Sequence, residues 1–148
     1  MTCGPTCRAA NAFFTSDRGD EEALAGELRQ AIAAHFGFDV DVLVRDHAYL
    51  KAVADACPFP AASLHGKQLH VTYFSERVEE SRFASLDVAA FLPEDFRLGD
   101  RALYLYAPDG LGRSRLADVL ARSGPPKGVV ATSRNWSTVV KLVELTQP

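Results

Sequence analysis

Tyr104-Leu105-Tyr106-Ala107-Pro108-Asp109-Gly110-Leu111-Gly112-Arg113-Ser114-Arg115 reads as the end of an aromatic strand, a glycine-punctuated turn and the opening of a basic helix. Asp109-Gly110 supplies the positive φ angle that a tight turn needs, Gly112 lets the backbone turn again, and Ser114 stands where a helix N-cap belongs. A helix N-terminus offers free amide groups and a partial positive charge. With Arg113 and Arg115 beside it, this one suits a phosphate or a carboxylate. The pattern is neither the phosphate-binding loop nor the dinucleotide fingerprint. A plain capped helix with two solvated arginines is the structural alternative.

Downstream, Thr132-Ser133-Arg134-Asn135-Trp136 reads as the start of a second helix, capped by Thr132 or Ser133. At about 100° per residue, Trp136, Val139, Val140 and Val143 fall toward one side, the core, while Arg134, Thr138 and Lys141 form a stripe of donors on another. If this helix start faces the glycine turn, two N-termini and up to four cationic groups converge. The candidate ligand-binding set is therefore Gly110, Gly112, Arg113, Ser114, Arg134, Asn135 and Lys141, and a solvated amphipathic face is the alternative.

Working outward, Ala102 to Tyr106 is the second arm of a hairpin that turns at Gly99-Asp100 and begins with Asp95 to Leu98. Lys67 to Phe74 is a further strand, with Leu69, Val71 and Tyr73 on one face and His70 and Thr72 on the other. A polar helix is expected from about Glu76 to Ser85. Nearer the start, Asn11 to Thr15 and the alternating Phe38, Val40, Val42 and Val44 read as strands. Between them, Asp20 caps a helix carrying Leu24, Leu28, Ala31 and Ile32, which Gly37 ends, and Asp46 caps another that stops before Pro58. This order predicts an α+β fold, a mixed sheet with helices on one face. Residues 1–10 are expected to be a poorly ordered leader.

The chain has 148 residues, 47% hydrophobic and 24% charged, as in ordinary globular proteins. Net charge is −3, which argues against a nucleic-acid coat. Its distribution is uneven: residues 1–100 hold 9 Lys/Arg against 16 Asp/Glu, and residues 101–148 hold 7 against 3. The basic third suits an anionic partner, or an acidic face of the same molecule. No apolar run approaches the roughly 20 residues of a membrane helix, and the first residues lack a signal peptide's pattern, so a cytoplasmic protein is expected. Three cysteines, Cys3, Cys7 and Cys57, do not make a disulfide framework. With His65 and His70 they follow none of the tight zinc spacings, so neither metal nor cofactor is expected.

The Tyr106 to Ser114 run and the Thr132 to Leu142 run, with Phe36-Gly37-Phe38-Asp39-Val40, Val42-Leu43-Val44-Arg45, Pro58-Phe59 and Leu69-His70-Val71 upstream, resemble the bacterial family known only as domain of unknown function 1697. The resemblance covers roughly residues 11–145. It implies a two-part α+β protein, here residues 11–57 as the remnant of a ferredoxin-like subdomain and 58–148 as a second subdomain carrying the basic site. It implies no catalytic residue and no cofactor. Family members begin with a strand, an Arg-Gly-Ile-Asn-Val-Gly-like loop, a helix and another strand ahead of the segment near Asn11, so the chain reads as an N-terminally shortened member whose incomplete sheet exposes strand edges.

Three functions compete. The first is a binding module for a small anionic molecule at the candidate set. The second is an enzyme on a phosphorylated substrate, with Arg113, Arg134 and Lys141 stabilising charge and Asp109 or His70 as acid or base. The third is an interaction module, a homodimer through the exposed strand edge.

Overall fold

Asp20 and Asp46 open the first two helices as their positions predict. In the computed structural model, which describes residues 10–148, α1 spans Glu21–Phe36, and the Ala23 amide donates to Asp20 Oδ1 at 3.0 Å. Gly37 closes it in the left-handed region at φ 78°. The second helix, α2, spans His47–Asp55, with the Tyr49 amide donating to Asp46 Oδ1 at 2.8 Å. Cap side chains of this kind contribute about 1 kcal/mol each by satisfying otherwise orphaned amides.

The sheet has four strands: β1 (Leu69–Phe74), β2 (Asp95–Gly99), β3 (Ala102–Tyr106) and β4 (Ala131–Asn135). Their order is β2-β3-β1-β4, and every pairing is antiparallel. The expected mixed sheet is thus corrected to an antiparallel open one. The β2–β3 hairpin turns at Asp100-Arg101, with Arg101 at φ 50°. Gly99 is required there for another reason: a Cβ on it would lie 2.7 Å from the Tyr104 ring.

Helices cover both faces, not one. On the first face Val71, Tyr73, Ala102 and Tyr104 pack with Tyr49, Leu50 and Val53 of α2 and Val139 of α4 (Trp136–Leu145). Tyr104 also donates its hydroxyl to the Val53 carbonyl at 2.5 Å, tying sheet to helix, and burial pushes its pKa up to about 12. On the second face Phe74, Phe96, Leu103 and Leu105 pack with Leu116 of α3 (Arg115–Ser123) and with short 3-10 turns at Glu80–Phe83 and Val88–Phe91. Leu116 is fully buried, a burial that stabilises by about 1.5–3 kcal/mol. The polar helix expected over Glu76 to Ser85 is only the Glu80–Phe83 turn.

Two expected strands are absent from the described residues: neither Asn11 to Thr15 nor Phe38 to Val44 joins a ladder. Alternation marks a side that can be buried, but a strand also needs a neighbour for its amides and carbonyls. Conversely, Ala131–Asn135, expected to begin the last helix, is the edge strand β4, and α4 starts only at Trp136.

Candidate functional site

Ser114 caps α3 as its position predicts, its Oγ accepting from the Ala117 amide at 2.9 Å, and Gly110 takes the positive φ, 87°, that the turn needs. The anion at this N-terminus is already supplied by the chain. Glu94 accepts from the Ser114 hydroxyl at 2.6 Å, from the Leu116 amide at 3.0 Å and from the Arg115 amide at 3.3 Å. A carboxylate here satisfies the orphan amides and complements the helix dipole. Arg115 turns toward Phe91, its guanidinium 5.9 Å from the ring centre. Sequence reasoning missed Glu94 because it lies twenty residues before Ser114 and arrives through the loop ahead of β2.

The two helix starts share one end of the sheet but serve opposite faces. Gln68 donates to the Pro108 carbonyl on one side of residues 65–68, and on the other the Trp136 amide donates to the Gly66 carbonyl at 3.1 Å. From there α3 packs Leu116 onto the second face, while α4 packs Val139 onto the first. The expected convergence of Gly110, Gly112, Arg113 and Ser114 with Arg134, Asn135 and Lys141 is therefore not formed. Because Arg134 lies in β4, the helical stripe of Arg134, Thr138 and Lys141 is broken as well.

What remains together is the α4 half. Asn135, not Thr132 or Ser133, is the N-cap, its Oδ1 accepting from the Thr138 amide at 3.0 Å. A groove of about 470 Å³ runs along the helix start, lined by Asn11, Asn135, Ser137, Thr138, Lys141 and Leu142. Arg134 reaches its rim by donating from Nε to Asn11 Oδ1 at 2.7 Å. The other bonds of that guanidinium go to Thr132 Oγ1 and to the carbonyls of Ser133 and Ala10. All of these acceptors are neutral, and no carboxylate pairs with Arg134 among the described residues. Burial pushes its pKa down, as expected for a cation partly withdrawn from water. Lys141 has only an exposed contact with Glu144 at 3.8 Å.

The two residues considered for proton transfer lie elsewhere. His70 points to the second face, paired across the sheet with Leu105, whereas Arg134 pairs with Val71 and shares the first face. Asp109 is an exposed turn residue. His70 is 9% exposed, its Nδ1 has no hydrogen-bond partner among the described residues, and burial pushes its pKa down. Cys57 is half-buried beside the first core, where burial pushes its thiol pKa up, the inert direction. Among the described residues no three His, Cys, Asp or Glu side chains are grouped as metal ligands; Cys3 and Cys7 lie outside the described residues. No described helix is long and apolar enough to cross a membrane.

Comparison with curated proteins and with solved structures returned no match. A family model described as protein of unknown function (DUF1697) matches residues 8–104, which include α1, α2, the β2 arm and most of the β1–β3 pairing but neither α3, β4 nor α4. With the greater part of its length matched, the chain belongs to the DUF1697 family.

Proposed function

We propose that this DUF1697 protein is a binding module that holds a small phosphate- or carboxylate-bearing molecule in the groove at the start of α4. Arg134 and Lys141 supply charge, and the Asn135 side chain with the Ser137 and Thr138 hydroxyls supplies directional hydrogen bonds. The observation that carries this reading is Arg134: a half-buried guanidinium held in place by neutral acceptors only. Desolvating a cation without a counter-charge is costly, so an arriving anion gains more here than at a solvated arginine. The first turn of α4 adds the favourable end of a helix dipole. Gly110, Gly112, Arg113 and Ser114 are left out of this site, because Glu94 takes up the α3 amides.

The experiment is thermal unfolding in millimolar inorganic phosphate against chloride of equal ionic strength, which separates binding from general salt effects. The expected result is a Tm that rises with phosphate and saturates, a rise abolished by Arg134→Gln and reduced by Lys141→Ala. Equal rises in phosphate and chloride, or a rise that both variants retain, would overturn the reading.

An interaction module is the second reading, favoured by exposed phenylalanines near the N-terminal side of the described chain. Phe13 is 61% and Phe14 52% exposed. The enzymatic alternative lacks such support, since His70 and Arg134 lie on opposite faces of the sheet.

A further inference from the structure

The second face of the sheet is covered unevenly. Its β2 and β3 rows are apolar, Phe96, Leu98, Leu103 and Leu105, and lie under α3 and the 3-10 turns. The β1 row carries His70 and Thr72 beside the apolar Phe74, and the β4 row carries Ser133, which stands directly across from Thr72. Between these rows and α3 lies a cavity of about 370 Å³. Phe74, Leu105, Ala117 and Leu120 give it apolar walls, and its polar groups are Thr72, Ser133 and Asp118. No lysine or arginine lines it.

We infer that this cavity is a second ligand site, for a small uncharged molecule that is mainly apolar and carries one hydrogen-bonding group, as a simple phenol does. Size argues first. At about 370 Å³ the cavity lies within the range of small-molecule pockets. Charge argues next: Asp118 is the only ionisable lining residue, which disfavours the anions suited to the groove beside α4. The polar floor then sets the head group. Thr72 Oγ1 and Ser133 Oγ share one hydrogen bond at 2.6 Å, which leaves the pair one donor and free lone pairs for a ligand hydroxyl.

The test is NMR titration of the labelled protein with 4-methylphenol, with toluene, and with 4-methylphenyl phosphate. The expected result for 4-methylphenol is saturable shifts at Thr72, Leu105, Ala117 and Ser133. Toluene should bind the same residues about three- to tenfold more weakly, the span of one net hydrogen bond. The phosphate ester should leave them unmoved, whatever it does beside α4. Ala117→Phe should fill the cavity and abolish the shifts. Because that variant risks misfolding, Thr72→Val with Ser133→Val provides a second check: it should bring 4-methylphenol down to the affinity of toluene. Absent or unsaturable shifts, shifts retained in folded Ala117→Phe, equal affinity for phenol and toluene, or shifts that follow protein concentration instead of probe would each overturn the inference.

Discussion

At the scale of single residues, the two most informative side chains are a cation without an anion and an imidazole without a partner. Arg134 and His70 sit in adjacent strands, yet each is shielded by a different face of the sheet. His70 also gives the fold a pH dependence whose sign can be worked out. Its pKa in the folded state is pushed below the ordinary 6.5 by burial, so between those two values the unfolded chain binds the proton more readily. The neutral ring's stabilising contribution is therefore complete above about pH 6.5 and is lost as pH falls through the folded value. Denaturant unfolding from pH 7.5 to 5 should show stability falling on the acid side, and His70→Gln should flatten that slope. An unchanged slope in the variant would mean that other groups govern it.

At the scale of elements, α4 is positioned by close backbone approach as well as by its apolar side. The Trp136 amide bonds to the Gly66 carbonyl, and a Cβ on Gly66 would stand 1.9 Å from Ser137 Oγ and 3.2 Å from Ser137 Cβ. A Cβ fits there only if the Ser137 hydroxyl rotates away and the first turn of α4 gives by a few tenths of an ångström. Gly66→Ala should accordingly destabilise the fold by about 1–3 kcal/mol and weaken phosphate binding, because it displaces Ser137 and Thr138 together. Urea unfolding combined with the phosphate titration measures both effects. The partner substitution Ser137→Gly, by removing the obstructing side chain, should recover most of the stability lost in Gly66→Ala.

At the scale of the whole molecule, α1 is attached differently from the other helices. None of its residues is fully buried, and its firmest link is polar. Arg45, with a side chain only 9% exposed, donates to Glu21 at 3.0 Å and to the Phe74 carbonyl at 2.7 Å, while the Asp46 amide donates to Glu21 Oε1 at 3.1 Å. Ahead of α1 stand Phe13 and Phe14, adjacent in the chain and both exposed. Large exposed apolar side chains near one another favour association. Light scattering across micromolar concentrations should reveal self-association that weakens in Phe13→Ser with Phe14→Ser. A monomer at every concentration, unchanged by the substitutions, would sink the interaction reading.

The sequence by itself determined what neighbouring residues decide among themselves. The caps of α1, α2 and α3, the Gly37 stop, the turn at Gly110, the β2–β3 hairpin and the division of β1 into an apolar and a more polar face all follow from short-range chemistry. The matched family lay within reach of residue patterns too. Tertiary structure alone decided whatever needed a distant partner. Residues 11–15 and 38–44 have the composition of strands but no ladder, and Ala131–Asn135 becomes a strand because β1 offers an edge for it. The basic third suits anions by its composition, but the free amides at the start of α3 are taken up by Glu94, brought there by the chain itself. Local propensity is a property of a few residues, whereas pairing and charge compensation depend on which segments the fold places side by side.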